Sequence, residues 1–228
     1  MPYSAMSQAP SYYVVPVCHD PLTELYVDSD ILVVNKPAYL LSVPGRGPEN
    51  RDSAQHRLAQ KYDEVHVVHR LDLDTSGIMI FARNPTAQRR LNRAFAERRV
   101  EKAYMAELYG HLTPSEGFIT YPIAPDWERR PRQKICYQEG KASITQYQLL
   151  AYDQARNVSR VKLEPITGRS HQLRLHTQHI GHPIIGCDLY APEEVLAMSP
   201  RLQLHAYYLG FNHPTTGLWQ NYYAPLAF

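Results

Sequence analysis

VHRLDLDTSGIMIFAR, residues 68–83, sets two carboxylates two positions apart behind a His-Arg pair and ahead of a glycine and an apolar run. The runs on either side, Val65 to Val68 and Ile78 to Ala82, are too short for helices and read as buried strands. HRLDLDTSG is then the connection between them, and a sheet frames the domain. Carboxylates are costly to bury unless paired, so such a loop is either a solvated turn or a site. Three readings stand side by side. His69, Asp72 and Asp74 form a metal set; or an arginine keeps one aspartate ionised for acid–base or nucleophilic work; or Asp74, Thr75 and Ser76 bond back to the backbone as a turn. The turn accounts for those three residues but leaves Asp72 and Arg70 without a purpose.

Working outward, ELYVDSDILVVNKP predicts two strands across an Asp28-Ser29-Asp30 turn, and DSAQHRLAQKY a short helix starting at Asp52 or Ser53. NPTAQRRLNRAFAERR is the strongest helix, with Asn84 as N-cap, Pro85 at the first helical position, and Ala87, Leu91, Ala94 and Phe95 on one face. EKAYMAELYG, GFITYPI, SITQYQLLAY and SRVKLEPI read as strands. SHQLRLHTQHIG reads as a helix with Ser170 as cap and Gly181 as stop, and LQLHAYYLGFNHP with LWQNYYAP as a closing hairpin. Strict βαβ alternation is missing. The expected class is therefore α+β, with a central mixed, mainly antiparallel sheet flanked by helices and loops.

The chain has 228 residues, enough for a core that needs no staples. Eighteen prolines punctuate short segments and disfavour a helical bundle. Residues 1–21, with Pro2, Pro10, Pro16 and Pro21, read as an N-terminal arm, and 22–228 as one catalytic domain without a separate N-terminal RNA-binding domain. No apolar run reaches the length of a membrane span, and the first residues lack the basic start of a leader. Three widely separated cysteines read as reduced thiols of a cytoplasmic protein. No glycine-rich phosphate loop implies a nucleotide cofactor, and a monomer is expected because no apolar face lacks a partner.

A net charge of +2 does not by itself announce a nucleic-acid partner, so the argument rests on placement. Arg83, Arg89, Arg90, Arg93, Arg98, Arg99 and Lys102 face only Glu97 and Glu101. A second cluster, Arg129, Arg130, Arg132 and Lys134, sits in a Pro-interrupted loop between Trp127 and Tyr137. Guanidinium groups grip phosphates and rings stack on splayed bases, which suits RNA; the alternative is a solvated helix face and a solvated loop. PITGRSHQLRLH adds Arg169, His171, Arg174 and His176 at a helix start, either a phosphate or carboxylate grip or a wet polar face. The His171, His176 and His179 spacing disfavours zinc.

HRLDLDTSG resembles the HRLD-x-x-TSG signature of the RluA family of pseudouridine synthases. NKPAYLLSVPG, EKAYMAELYG, PITGRSHQLRLH, HPIIGCDLY and LQLHAYYLGFNHP resemble its other motifs in the same order, from about Leu22 to the C-terminus. The compact members of that family act on 23S rRNA and on the tRNA anticodon stem-loop. The resemblance implies the pseudouridine synthase fold, base flipping, and an isomerisation that needs neither cofactor nor metal. It makes Asp72 the catalytic carboxylate at the ribose anomeric carbon and leaves Asp74 to the turn. Arg174 becomes the residue that orients Asp72 and holds it ionised, and Tyr104 the ring that stacks on the flipped uracil, with a possible part in late proton removal. His69, Arg70, Arg129, Arg130, Arg132, Lys134 and Arg169 are the expected RNA contacts.

Overall fold

The computed structural model describes residues 13–226 and 228; the first part of the expected arm lies outside them. Residues 13–21 carry no helix or strand, as their prolines require, and are pinned to the body by Asn50, which accepts from Val15 N and donates to the Tyr13 carbonyl.

Strands β1 (Thr23–Val27) and β2 (Ile31–Lys36) form the expected hairpin. Asp28 Oδ1 accepts the N–H groups of Asp30 and Ile31, each at 2.8 Å, the side-chain chemistry that favours aspartate in turns. Helix α1 (Ala54–Ala59) starts at Ser53, whose hydroxyl accepts from His56 N, while Asp52 pairs with Arg57 at 2.7 Å. Strands β3 (His66–Val67) and β4 (Ser76–Ala82) bracket the 68–75 loop. Helix α2 (Pro85–Ala96) is capped by Asn84, which accepts from Ala87 N at 2.8 Å.

The chain continues through β5 (Glu101–Tyr109), β6 (Glu116–Ile119), β7 (Ile123–Pro125), β8 (Gln133–Ile135), β9 (Thr145–Asp153) and β10 (Val158–Pro165). Helices α3 (Gln172–His179) and α4 (Glu193–Leu196) precede the closing hairpin of β11 (Leu204–Asn212) and β12 (Trp219–Tyr223).

Ten of the strands pair in one sheet, in the order β1-β2-β4-β11-β5-β10-β9-β6, with β3 added to β4 and β12 to β11. Every pairing is antiparallel except β4 with β11, which meet parallel at Ser76–His205 and Gly77–Ala206. The mixed, mainly antiparallel α+β architecture is as expected. Strands β7 and β8 form a separate ribbon, so the basic stretch is not all loop: Gln133, Lys134 and Ile135 are strand, and Trp127 to Arg132 are the loop at its tip.

The start of α3 also differs from expectation. Ser170 does not cap it; His171 does, in a left-handed conformation (φ 53°, ψ 18°) with no side-chain cap. Nor is its polar face wet, since Gln172 to Thr177 are all buried. Gly181 does stop it, with φ 88° and with His182 N bonding back to the Thr177 carbonyl.

Strands β2 and β4 are covered on both faces. Ile31, Val33, Ile78 and Ile80 pack with Ala87, Leu91 and Ala94 of α2, and Leu32, Val34, Met79 and Phe81 pack with Ala54 and Leu58 of α1. A further core gathers Ala106, Leu108, Val161 and Leu163 with Leu173 of α3. Tyr104 touches both the α1 core and the α3 core, so it marks the seam between the two halves of the sheet.

Candidate active site

The 68–75 loop crosses this seam and is held by the segment that follows β2. Leu71 N donates to Ser42 Oγ at 3.1 Å, and the Ser42 hydroxyl donates back to the Leu71 carbonyl at 2.7 Å. Tyr39 N donates to the Leu73 carbonyl at 2.9 Å. Lys36, wholly buried, donates to the carbonyls of Leu40, Pro37 and Leu73 at 2.7, 2.9 and 3.2 Å. Burial lowers its amine to about 7, opposed by the nearby charges of Asp74 and Asp72. The NKPAYLLS stretch is thus a clamp on the loop's backbone.

From α3, Arg174 enters the same space almost fully buried, 2% exposed. Its Nη1 lies 3.9 Å from Asp72 Oδ2 and 3.6 Å from Asp74 Oδ2, its Nη2 donates to Asp188, and its Nε donates to Cys187 Sγ at 3.3 Å. A buried guanidinium needs such company, because an unpaired charge is costly out of water. Tyr190 lies under it, ring centroid 5.6 Å away, and its hydroxyl bonds the Nδ1 edge of His171 and accepts from Gln133 N, each at 2.8 Å. The left-handed turn at His171 aims that ring, which links α3 to the basic ribbon.

Asp74 therefore does not bond back to the backbone as a turn residue; its carboxylate faces Arg174. Burial foremost pushes its pKa above the ordinary range, and Arg174 only partly offsets this. The turn itself closes through Thr75 N and the Asp72 carbonyl at 3.2 Å. Ser76 bonds His205 and accepts from Arg201.

Arg70, Asp72, Tyr104, Arg169, His171 and Arg174 line one cleft of about 760 Å³, a size typical of small-molecule and nucleotide sites. Burial, then the charge of Asp72, pushes the Tyr104 phenol up, so it stays protonated at neutral pH. His69 borders the cleft, but its Nε2 accepts from Ile80 N at 3.1 Å and its ring stacks on Phe95. Burial lowers its pKa to about 3, with Lys102 contributing, so the ring is neutral. Among the described residues the trio of metal-type side chains within mutual reach is Asp28, Asp30 and His213, not His69, Asp72 and Asp74.

Of the other expected RNA contacts, Arg70 is exposed at the cleft, and Arg169 donates to the Ala142 carbonyl. Arg129 pairs with buried Asp126 at 2.9 Å, Arg130 stacks on Trp127 at 3.9 Å, and Arg132 and Lys134 border a groove with His179 and Tyr190. The arginines of α2 are largely spent on protein. Arg89 donates to Thr86 Oγ1, Arg90 donates to the Pro214 carbonyl, and Arg93 shares Glu97 with Arg99 beyond the helix.

The family model for RNA pseudouridylate synthase matches residues 30–179, a span that holds the 68–75 loop, Tyr104 and Arg174. The chain belongs to the RNA pseudouridylate synthase family.

The dual-specificity RNA pseudouridine synthase RluA of Pasteurella multocida (strain Pm70) is 49% identical over 210 residues, covering 92% of this chain and 95% of that protein. The enzyme of the same name from Escherichia coli (strain K12) is 48% identical over 207 residues, covering 91% and 94%. Human RNA pseudouridylate synthase domain containing 1 superposes with a TM-score of 0.78 at 33% identity, over 92% of this chain and 85% of that one. As a pseudouridylate synthase the protein is an isomerase that forms pseudouridine in RNA. Sequence reasoning overlooked Lys36, Ser42, Cys187, Asp188 and Tyr190 in this synthase. All lie within or beside the quoted motifs NKPAYLLSVPG and HPIIGCDLY, whose side-chain partners are distant in the chain.

Proposed function

We propose that this enzyme isomerises uridines in both 23S rRNA and tRNA stem-loops, with Asp72 acting at the ribose anomeric carbon of a flipped uridine. Loss of the glycosidic bond places positive charge on the sugar, which an ionised carboxylate on one face stabilises or attacks. The observation that carries this reading is the buried Arg174 guanidinium facing Asp72 across a cleft of about 760 Å³. Arg174 orients the carboxylate, and the triple partnership with Cys187, Asp188 and Asp74 keeps it from swinging away. Tyr104 is a stacking platform rather than a base, because its phenol holds its proton. Arg70, exposed at the rim, meets RNA as the base leaves its stack. RNA substrates of this kind support a cytoplasmic site of action, and the enzyme is proposed to act there as a monomer. The identity and coverage shared with enzymes named dual-specificity support two RNA classes.

RNA carrying tritium at uracil carbon 5 tests the reading, because isomerisation releases that tritium and binding does not. Release is expected from both a 23S rRNA fragment and a tRNA stem-loop, undiminished by EDTA if the RNA stays folded; release from only one class overturns dual specificity. Asp72→Asn should lower turnover by at least about a thousandfold while RNA binding persists. Residual turnover within about tenfold of wild type would remove Asp72 from the chemistry.

A further inference from the structure

Beside the catalytic cleft lies a second groove of about 600 Å³, bordered by Arg98, Glu101, Glu164, Ile166 and Tyr208. The two share a wall made of Phe95, Lys102, Pro165, Thr167, Gly168 and Arg169. Lys102 is two residues before Tyr104 on β5, so both side chains leave the same face of the sheet, about 7 Å apart along the strand. The carboxylates of the second groove are engaged elsewhere: Glu101 accepts from the Tyr208 hydroxyl at 3.0 Å, and Glu164 pairs with Lys162 at 2.9 Å. Lys102 has no hydrogen-bond or ion-pair partner among the described residues, and its titratable neighbour in the cleft wall, His69, is held neutral by burial. Opposite it Gly168 presents bare backbone; a Cβ built there would lie 3.8 Å from Nζ. Burial lowers the pKa of the Lys102 amine, a cost with no compensating contact in the protein. An unpaired, half-buried cation at a junction between two grooves is a site waiting for an anion.

We infer that Lys102 contacts an RNA phosphodiester beside the flipped uridine, where the strand passes from the catalytic cleft into the neighbouring groove. The inference rests on the synthase reading and adds a binding residue to it. The strand bends sharply where one nucleotide is extruded, so an amine at that bend also favours the extruded geometry over the stacked one.

The test uses the full chain, its Lys102→Met and Lys102→Arg variants, and a tritiated tRNA anticodon stem-loop, intact or with a neutral methylphosphonate at either linkage flanking the uridine. Lys102→Met should weaken binding about tenfold, flatten the log–log salt slope by about 0.7, and place the loss in KM. Lys102→Arg should restore most of the affinity. One methylphosphonate should weaken wild type to a similar degree and Lys102→Met little further, because both remove the same contact. The melting temperature of Lys102→Met should equal or exceed that of wild type, since an apolar chain replaces a desolvated ammonium. An unchanged salt slope, additive losses, or a fall in melting temperature would overturn the inference. Should Lys102→Met fail to fold, wild-type affinity unaffected by both neutral linkages would overturn it equally. Absence of tritium release by wild type from any RNA would instead defeat the synthase reading, a distinct result.

Discussion

Asp72 and Asp74 differ by one intervening leucine, yet their surroundings separate them. Asp72 borders the open cleft, while Asp74 lies deeper and nearer to Arg174, 3.6 Å against 3.9 Å. The Asp74 pKa is raised above its usual 3.8, so the folded state binds its proton more tightly than the unfolded chain does. Its ionisation therefore costs stability at neutral pH, and that cost disappears as the pH falls through the raised value towards 3.8. Asp74→Asn should be more stable than wild type at pH 7 and lose that advantage near pH 3.8, measured by urea unfolding at both. The same variant should keep tritium release within about tenfold of wild type; complete loss would transfer the chemistry from Asp72 to Asp74.

At the scale of elements, the decisive contact is the short parallel meeting of β4 and β11. It brings the end of the 68–75 loop against β11, whose other edge carries β5 and Tyr104. Gly77 makes it possible. Its φ is 117°, and a Cβ there would lie 2.2 Å from the Ala206 carbonyl oxygen. Gly77→Ala should destabilise the protein by roughly 4 kcal/mol or more, read by denaturant unfolding, and a variant near wild type would show that the two strands separate at little cost. A glycine after HRLDLDTS suggests a turn in the sequence; that it admits another strand depends on β11, far along the chain. The caps at Ser53 and Asn84 were legible because their partners lie three residues away. The cap of α3 was not, because the Tyr190 hydroxyl that bonds the His171 ring belongs to a distant segment.

Across the whole molecule, the small net charge conceals an uneven distribution. The α2 arginines are bound to protein groups, whereas Arg129, Arg130 and Arg132 cluster at the tip of the β7–β8 ribbon, tied to the cleft by the Gln133–Tyr190 bond. Reversing the charge of all three should weaken RNA binding and flatten the salt slope by about 2, since each of three phosphate contacts contributes about 0.7. Affinity measured across a salt series decides this; an unchanged slope would return the ribbon tip to an ordinary solvated loop. The same substitutions should lower the melting temperature, because reversing Arg129 removes the partner of buried Asp126 and sets a like charge beside it.

By itself the sequence determined the turns, the caps of α1 and α2, the strand-rich α+β class and the identity of the loop that carries Asp72. These follow from backbone geometry and side-chain bonds spanning a few residues, together with motifs kept in order along the chain. Only the tertiary structure decided which groups meet there: Arg174 between three aspartates, Lys36 and Ser42 under the loop, and Lys102 alone between two grooves. Those encounters follow from sheet order and burial, and in a dry interior a charge's neighbours, rather than its place in the sequence, govern its behaviour.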